Sequence, residues 1–262
     1  MSSVKLIATD MDGTLLNNKK ELPKDFIPWV KSHSNYKIAV ASGRQYYTLL
    51  RDFEEIKDRI VFISDNGGFA VYKNEIIYED LMSREDTIAC LDALNTIPGS
   101  SIIACGVDSA YMEPTGDEAE EQGHMYYAKI KFENDLYKAT ESDKIIKCAI
   151  FIPDFKAEEV YNNFPKLPDT LMPLLSGDSW IDIANKTVNK GAALSAVQSQ
   201  LGISEDECIA FGDYPNDIDM LKVCSRSYCM ENGHESVKAI AKYIAPSNEE
   251  EGVMKVLLGL NL

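Results

Sequence analysis

The feature that most constrains the fold is a series of short apolar runs that alternate with helix-forming segments over the first 80 residues. The apolar runs are Val4–Thr9, Tyr36–Ala41 and Ile60–Ser64. Uninterrupted apolar runs of this length are typical of strands buried on both faces. Between them, Pro23–Ser34 and Gln45–Lys57 have the spacing of helices. This βαβαβ order predicts an α/β fold with a doubly wound, mostly parallel, Rossmann-like sheet.

The C-terminal part of the chain returns to the same alternation. Gly191–Leu201 predicts a helix, and Gly202 after it is a residue that readily ends helices in the left-handed conformation. Glu207–Phe211 predicts a strand and Asn216–Cys224 another helix. We therefore expect both ends of the chain to contribute to one sheet.

Two further local elements follow from short-range signals. Phe69–Tyr78 predicts a hairpin that closes around Lys73 and Asn74, since these types favour tight turns. A last helix is expected over Glu249–Leu258, with Asn248 and Glu251 at the spacing of a capping box.

The middle of the chain differs in composition from its two ends. It carries clustered prolines, an acidic block at Asp117–Glu121 and strands with more alternation, such as Lys144–Phe151. We expect residues 82–184 to form an α+β module inserted into a core built from residues 1–81 and 185–262. Within the module, Trp180–Ile183 alternates like a strand, and its acid Asp182 has the simple interpretation of a partner for a nearby base.

The charge balance narrows the classes of partner. Acidic residues number 42 against 26 basic ones, which gives a formal net charge of −16. A body this negative repels nucleic acid and anionic lipid, so neither is an expected partner. If the substrate is an anion, positive charge must be supplied locally by a metal ion, a lysine or helix N-termini.

The compartment follows from the cysteines and from the hydropathy. The six cysteines include no Cys-x-x-Cys pair and no Cys/His metal spacing, so buried free thiols are expected. No stretch has the roughly 18 apolar residues of a membrane span. The first residues reach an acid at Asp10, which favours a strand over a signal peptide. These features predict a cytoplasmic protein.

The strongest chemical signal is Asp10-Met11-Asp12-Gly13-Thr14, directly after the first apolar run. Ligands of open α/β sheets bind at the carboxyl ends of the strands. Two carboxylates spaced i, i+2 can point to the same side there, one as an ionised nucleophile and the other held protonated as an acid. Gly13 permits a tight exit from the strand. The alternative is an ordinary turn, since Asp and Gly are common loop formers.

Two more motifs lie between a strand and a helix or at the start of a helix. Ser42-Gly43-Arg44 offers a hydroxyl and backbone amides for a phosphate or carboxylate, although Ser42 could simply be an N-cap. Lys190, in Asn189-Lys190-Gly191, opposes the helix dipole at a cost of a few tenths to about 1 kcal/mol. That placement suggests a nearby anion; the alternative is a solvated surface lysine.

The fourth motif, Phe211–Asp217, follows the strand predicted near the C-terminal end of the chain. Asp213 is placed to share a hard cation with Asp10, because Mg²⁺ prefers oxygen ligands in octahedral geometry. Asp217 falls in the first turn of the next helix, where a carboxylate is also favourable for structural reasons.

Together and in this order, the four motifs resemble those of the haloacid dehalogenase (HAD) superfamily. The matching segments are Asp10–Thr14, Ser42–Arg44, Asn189–Gly191 and Gly212–Asp217. An insertion between the second and third motifs, with a closing Asn232-Gly233, is similar to the Cof-type branch with a C2B cap. The resemblance covers essentially the whole chain, closely in the core and only in length and position in the cap.

The resemblance implies a set of catalytic roles. Asp10 would attack phosphorus and become an aspartyl phosphate. Asp12 would protonate the leaving alcohol and then take a proton from the hydrolytic water, with Thr14 positioning it. Ser42 would hydrogen-bond a phosphoryl oxygen, and Lys190 would neutralise charge on that group and on Asp10.

The resemblance also implies a cofactor and further contacts. Mg²⁺ would be held by the Asp10 carboxylate, the Asp12 backbone carbonyl and Asp213, with Asp217 behind them. The remaining expected phosphate or substrate contacts are Gly43, Asn216 and Arg44, the last toward the leaving group. Three carboxylates around a phosphate would repel one another without the metal and Lys190, so the net charge is no objection.

The resulting prediction is a Mg²⁺-dependent phosphatase of a small phosphorylated metabolite, most plausibly a sugar phosphate, acting as a monomer or homodimer. The C2B cap would close over the core, exclude water and select the leaving group. One alternative is a phosphomutase or phosphotransferase of the same superfamily. Another is a non-enzymatic phospho-acceptor switch, in which an acid at Asp12 and an inserted cap would have no role.

Overall fold

The computed structural model describes residues 3–116 and 118–260. Its strands, in chain order, are β1 (Leu6–Asp10), β2 (Lys37–Ala41), β3 (Ile60–Ser64), β4 (Phe69–Tyr72), β5 (Glu75–Glu79), β6 (Ser101–Gly106), β7 (Ala110–Met112), β8 (Ile130–Phe132), β9 (Ile145–Phe151), β10 (Leu171–Gly177), β11 (Trp180–Asn185), β12 (Cys208–Gly212), β13 (Arg226–Met230) and β14 (Tyr243–Ala245). Asp117, the first residue of the acidic block, lies outside the described residues.

The α-helices connect these strands. They are α1 (Phe26–Ser32), α2 (Tyr46–Asp52), α3 (Arg84–Leu94), α4 (Glu118–Tyr126), α5 (Leu136–Ser142), α6 (Ala157–Asn162), α7 (Lys190–Leu201), α8 (Ile218–Lys222), α9 (Glu235–Lys238) and α10 (Gly252–Gly259). Short 3₁₀ segments cover Glu54–Arg59, Asp65–Gly67, Pro153–Phe155, Glu205–Glu207, Pro215–Asp217 and Asn248–Glu250.

The chain forms two compact units, one made of the chain up to Glu79 and from Asn189 onward, the other running from Asp80 to Val188. The first unit holds an eight-stranded sheet in the order β14-β13-β12-β1-β2-β3-β4-β5. The strands from β14 to β3 are parallel, and the β3–β4–β5 hairpins add an antiparallel edge. The predicted doubly wound, mostly parallel α/β fold is confirmed.

The continuous apolar runs are explained by burial on both faces of this sheet. Ile7 of β1 packs in one hydrophobic cluster with Phe26 and Trp29 of α1. Its neighbour Leu6 packs in a second cluster with Leu194 of α7. Because successive side chains of a strand point to opposite faces, burial on both faces favours apolar residues at consecutive positions.

Strand order fixes where a ligand can bind in this unit. From β1 the sheet grows in one direction through β2 and β3, and in the other through β12, β13 and β14. The direction in which the chain adds strands therefore reverses between β1 and β12. In open α/β sheets, ligands usually bind at such a point, in the crevice outside the carboxyl ends of the strands.

The second unit is an α+β module around a six-stranded sheet in the order β10-β11-β9-β6-β7-β8, antiparallel except for the β7–β8 pair. Side chains of α3, α5 and α6 cover one face, and α4 contributes Ala119 to a cluster on the other. Asp182 pairs with the buried Lys147 at 3.1 Å, so its interpretation as the partner of a base is confirmed.

Two of the predicted helices need correction. The single helix expected over Gln45–Lys57 ends at Asp52, and a 3₁₀ segment then turns the chain toward β3. The helix expected over Asn216–Cys224 likewise begins as a 3₁₀ turn, and α8 proper starts at Ile218. By contrast, the hairpin around Lys73 and Asn74 forms as expected, with both residues in the left-handed region.

The predicted capping box of the last helix is wrong. Glu251 adopts a left-handed conformation (φ 54°), and α10 begins after it, at Gly252. The Asn248 side chain instead donates to the Leu16 carbonyl at 2.9 Å. A buried tertiary hydrogen bond therefore replaces the local cap at this position.

The cysteine prediction is confirmed, because all six thiols are free and buried. Within the described part of the chain, no helix combines the length and the apolar character that crossing a bilayer requires.

The turn after β3 generates a stability prediction. Gly67 has φ +97°, and a Cβ there would lie 2.2 Å from the Asn189 carbonyl oxygen. Gly202, which ends α7 at φ +64°, has nothing within 4 Å of the same position. We expect Gly202→Ala to lower the free energy of unfolding by about 1–2 kcal/mol, the usual cost of a left-handed residue. Gly67→Ala should cost at least about 2 kcal/mol more, because backbone must also move.

Urea unfolding followed by Trp29 fluorescence in a Trp180→Phe background would measure both variants, since Trp29 is buried in the first unit. Equal losses in the two variants would contradict the close packing of Gly67 against Asn189.

Candidate active site

The first unit is organised around the buried ammonium group of Lys190. Lys190 is the first residue of α7, whose N-cap Asn189 accepts a hydrogen bond from the Ala192 amide at 2.7 Å. Its Nζ donates to Asp10 Oδ1 and to Asp217 Oδ1, both at 2.6 Å. Burial disfavours the ammonium, but the two carboxylates outweigh it and raise the pKa of Lys190. The alternative of a solvated surface lysine is wrong, because Lys190 is only 1% exposed.

Asp10 lies at the carboxyl end of β1, and its two oxygens have different surroundings among the residues that the structure describes. Oδ1 is bound by Lys190, whereas Oδ2 is buried and has no hydrogen-bond partner among the described residues. Burial raises the pKa of the Asp10 carboxyl well above its usual range, with Asp217 and Asp213 adding to the effect and Lys190 opposing it. An unsatisfied buried carboxylate oxygen is costly unless a cation or ligand binds it.

Asp217 is fixed by the backbone of the loop that follows β12. Its Oδ2 accepts hydrogen bonds from the amides of Asp213 at 2.9 Å and Tyr214 at 3.1 Å, and the residue is fully buried. Its other oxygen binds Lys190. Asp217 therefore shapes this loop as well as contributing charge, which goes beyond the favourable helix-dipole position foreseen from sequence.

Asp213 is held by Thr14, a contact that differs from expectation. The Thr14 hydroxyl donates to Asp213 Oδ1 at 2.7 Å, although the family resemblance implies that Thr14 positions Asp12. A Cβ on residue 13 would lie 2.4 Å from Asp213 Oδ2, so the loops after β1 and β12 are in close contact. Burial raises the pKa of Asp213 to about 6, with Asp217 adding to the shift and the Thr14 hydrogen bond opposing it.

These carboxylates fit a divalent cation. One oxygen each from Asp10, Asp213 and Asp217 lie within 4.8 Å of one another. The buried Oδ2 of Asp10 is an acceptor to which no described residue donates a hydrogen bond, so it is available to bind a cation. Three carboxylates face a single ammonium, which leaves an excess of negative charge that a hard cation with oxygen ligands would balance. The Asp12 carboxylate does not belong to this cluster.

Asp12 has its own cationic surroundings. Its carboxylate accepts hydrogen bonds from Arg44 at 2.8 and 3.1 Å and pairs with Lys20 at 2.8 Å. Burial alone would raise the pKa of Asp12, but the hydrogen bonds from Arg44 and Lys20 outweigh it and lower the pKa. The expectation that its surroundings keep Asp12 protonated is therefore wrong in this structure, where the carboxyl of Asp10 has the raised pKa.

Arg44 and Ser42 are placed by contacts within the same loop. The Arg44 guanidinium also binds Asp52 of α2 at 3.0 Å, so in this structure it holds two carboxylates rather than an open position for a leaving group. Ser42 is buried, and its hydroxyl accepts from the Arg44 amide at 3.2 Å. The N-cap of α2 is Gln45, so the alternative of Ser42 as the simple cap of that helix is wrong.

Asn216 lies at the edge of the site, next to a residue that sequence reasoning missed. Its amide donates to Asn66 Oδ1 at 3.0 Å, and Asn66 packs against Gly43. Asn66 belongs to none of the four motifs that the sequence analysis identifies. The available signal was its position, directly after β3 at the same edge of the sheet as the other motifs.

Three other contacts were not predicted from the sequence. Lys20 reaches Asp12 from a left-handed turn (φ 64°), and Asp52 reaches Arg44 from α2. Asn232, which the resemblance placed only in a closing motif, donates to the Gly13 carbonyl at 2.8 Å. Among the predicted site residues, direct contacts join Lys190 to Asp10 and Asp217 and join Arg44 to Asp12 and Ser42. Asn216 and Gly43 are linked through Asn66.

Comparisons with known proteins give a consistent result. The family model described as haloacid dehalogenase-like hydrolase matches residues 7–257. The 5-amino-6-(5-phospho-D-ribitylamino)uracil phosphatase YbjI of Escherichia coli (strain K12) is 33% identical over 260 residues, which cover 97% of this chain and 95% of that protein.

Solved structures agree with the sequence comparisons. A haloacid dehalogenase-like hydrolase from Bacteroides thetaiotaomicron is similar at a TM-score of 0.85 and 25% identity, over 98% of this chain and 100% of that one. A sugar phosphatase of HAD subclass IIB has the same fold at a TM-score of 0.76 and 21% identity, over 98% and 99% of the two chains.

The raised pKa of Asp213 generates a prediction about stability and pH. A carboxyl whose pKa is raised on folding binds its proton more tightly in the folded protein, so it destabilises the fold as pH rises from its unfolded pKa to about 6. We expect Asp213→Asn to unfold at higher urea concentration than the wild type at pH 7.5 in chelator-containing buffer. The gain should shrink at pH 4.5, because Asp213 is then mostly protonated.

Asp219→Asn is the matched control, since Asp219 is an exposed carboxylate of α8 paired with Lys222 at 3.0 Å. A gain for Asp213→Asn that is independent of pH would contradict the assigned electrostatic cause.

Proposed function

Because the chain belongs to the haloacid dehalogenase-like hydrolases and is a phosphoric monoester hydrolase, we propose that it is a Mg²⁺-dependent phosphatase that forms an aspartyl phosphate on Asp10. The observation that carries the proposal is the position of Asp10. One oxygen is fixed by a fully buried ammonium group, and the other is buried beside Asp213 and Asp217 with no hydrogen-bond partner among the described residues. Such a carboxylate is oriented for attack and lacks competing hydrogen bonds.

In the first half-reaction, the Asp10 carboxylate attacks phosphorus and the bond to the ester oxygen breaks. Lys190 neutralises charge on the phosphoryl oxygens and keeps Asp10 in place, which are the roles of a preorganised cation. Ser42, Gly43 and Asn216 supply hydrogen-bond donors to the same group. The leaving alkoxide takes a proton from Asp12.

In the second half-reaction, Asp12 takes a proton from a water molecule, whose oxygen attacks phosphorus. The bond between phosphorus and Asp10 breaks, and inorganic phosphate is released with Asp10 restored. Asp12 thus ends the turnover protonated, which is the form that the first half-reaction of the next turnover requires.

The hydrogen bonds of Asp12 bear on this cycle. Arg44 and Lys20 favour its carboxylate form, which is the form that the second half-reaction requires. To act as the acid of the first half-reaction, Asp12 must lose its contacts with Arg44 and Lys20 and bind a proton. A substrate anion that competes for Arg44 and Lys20 would promote this exchange, because both cations then have another partner.

Asp10, Asp213 and the Asp12 backbone carbonyl would hold Mg²⁺, with Asp217 behind them. The ion would supply Lewis-acid stabilisation of the phosphoryl charge and offset the repulsion between three carboxylates and a phosphate.

For the substrate, we propose a small sugar phosphate or a similar phosphorylated polyol, handled in the cytoplasm. The relatives support this class, since one is named for a phosphoribitylamino compound and another is named a sugar phosphatase. We also propose that the unit from Asp80 to Val188 is the C2B-type cap of this family.

The first test is inorganic phosphate release from a panel of sugar phosphates, polyol phosphates, nucleotides and pyridoxal phosphate, with and without Mg²⁺. We expect Mg²⁺-dependent release that falls by at least about a thousandfold in Asp10→Asn, because the nucleophile is removed with little change in shape. Asp219→Asn, an exposed carboxylate on α8, should behave like the wild type.

The outcomes of this test separate the candidate activities. Phosphorylation of Asp10 without phosphate release would favour a mutase, a phosphotransferase or a phospho-acceptor switch. Release that is unchanged in Asp10→Asn would exclude the proposed mechanism.

The metal gives a second test that does not depend on turnover. We expect Mg²⁺ to raise the unfolding temperature of the wild type, because binding to the folded state alone stabilises it by about 2.7 kcal/mol at one hundred times the dissociation constant. Asp213→Asn should lose most of this shift, whereas Asp219→Asn should keep it. An equal shift in both variants would place the cation elsewhere.

A further inference from the structure

We propose that the side-chain amide of Asn66 is a direct hydrogen-bond donor to the phosphoryl group. The inference rests on the proposed phosphatase function and extends its binding site by one residue. Asn66 follows β3, whereas the four motifs follow β1, β2 and β12 or begin α7.

Three segments that carry expected phosphate contacts converge on this residue. The backbone amide of Asn66 donates to the Ser42 carbonyl at 3.0 Å. The side chains also meet, because Asn216 Nδ2 donates to Asn66 Oδ1 at 3.0 Å. The next residue, Gly67, packs so closely on α7 that a Cβ there would lie 2.8 Å from the Lys190 amide nitrogen. Asn66 therefore lies among the segments of Ser42, Lys190 and Asn216.

The side chain of Asn66 keeps a donor available. Its Oδ1 is used by Asn216, but no described residue accepts a hydrogen bond from its Nδ2. That nitrogen lies beside Gly43, since a Cβ on residue 43 would be 3.1 Å from it. A half-buried amide donor beside a backbone expected to bind phosphate is well suited to an anionic oxygen.

The backbone of the turn is held in an unfavourable conformation. Asp65, Asn66 and Gly67 all have positive φ, at 51°, 56° and 97°. A left-handed non-glycine residue is disfavoured, and such residues persist where the surroundings fix them, often at ligand sites. Backbone hydrogen bonds from Asp65 to the Arg44 carbonyl and from Asn66 to the Ser42 carbonyl hold the backbone of this turn, from which the Asn66 side chain projects.

The main alternative is that Asn66 only clasps two loops by accepting from Asn216. The variant Asn66→Asp separates the two roles, because a carboxylate still accepts from Asn216 but cannot donate. If Asn66 only holds the two loops together, this variant should bind phosphate as the wild type does. If Asn66 donates a hydrogen bond to phosphate, the variant replaces that donor with a negative charge that repels phosphate. Asn66→Ala removes both roles.

The experiment is calorimetric titration of inorganic phosphate into the Mg²⁺-loaded protein, together with kcat and KM for the best substrate of the panel. We expect the dissociation constant for phosphate to rise by about tenfold or more in Asn66→Ala and further in Asn66→Asp, with a matching fall in kcat/KM. Asn74→Asp is the control, since Asn74 is exposed and also left-handed (φ 65°), in the β4–β5 turn.

Wild-type phosphate affinity and kcat/KM in Asn66→Asp would overturn the inference and leave Asn66 as a clasp. A loss in Asn74→Asp equal to that in Asn66→Asp would also overturn it, because the effect would then come from added charge anywhere on the unit. Retained turnover in Asp10→Asn would instead refute the proposed function, so the two failures are distinguishable.

Discussion

The buried ammonium of Lys190 is the interaction on which the first unit depends. It lies between Asp10 at the end of β1 and Asp217 in the loop after β12, with 2.6 Å to an oxygen of each. Removing the lysine would leave two carboxylates without their counter-charge in a water-poor site, a far larger penalty than the loss of an exposed ion pair. The pairing therefore joins α7 to both strands at the switch point and gives Asp10 its orientation.

The close packing around Lys190, Asp10 and Asp217 follows from the topology of the sheet. Parallel strands β1 and β12 end side by side, so the loops after them must share one small volume. Thr14 reaches across to Asp213, and Asn232 reaches back to the Gly13 carbonyl, so each loop is held by residues from another. These contacts hold the carboxylates of Asp10, Asp213 and Asp217 close together despite their mutual repulsion. A divalent cation bound to their oxygens would offset that repulsion.

The two acids of the first motif have opposite electrostatic surroundings, although they are two residues apart. Asp10 is buried beside other carboxylates, which raises the pKa of its carboxyl, whereas Asp12 is surrounded by Arg44 and Lys20, which lower the pKa of Asp12. Two carboxyls with diverging pKa values can perform different chemical tasks. In the proposed reaction, Asp10 is the nucleophile and Asp12 is the acid and base, which is one such division.

The sequence by itself determined the alternation of buried strands and helices, and hence the α/β sheet. It also determined the four polar motifs at the strand ends, because local apolar periodicity and strand-to-helix junctions are properties of neighbouring residues. Only the tertiary structure decided the partners of those motifs. Thr14 binds Asp213 rather than Asp12, and Asn248 holds Leu16 rather than capping α10. Asn66, Lys20 and Asp52 enter the site from segments without a motif, because such contacts join residues far apart in the chain, and their distances are set by the packing of the whole sheet.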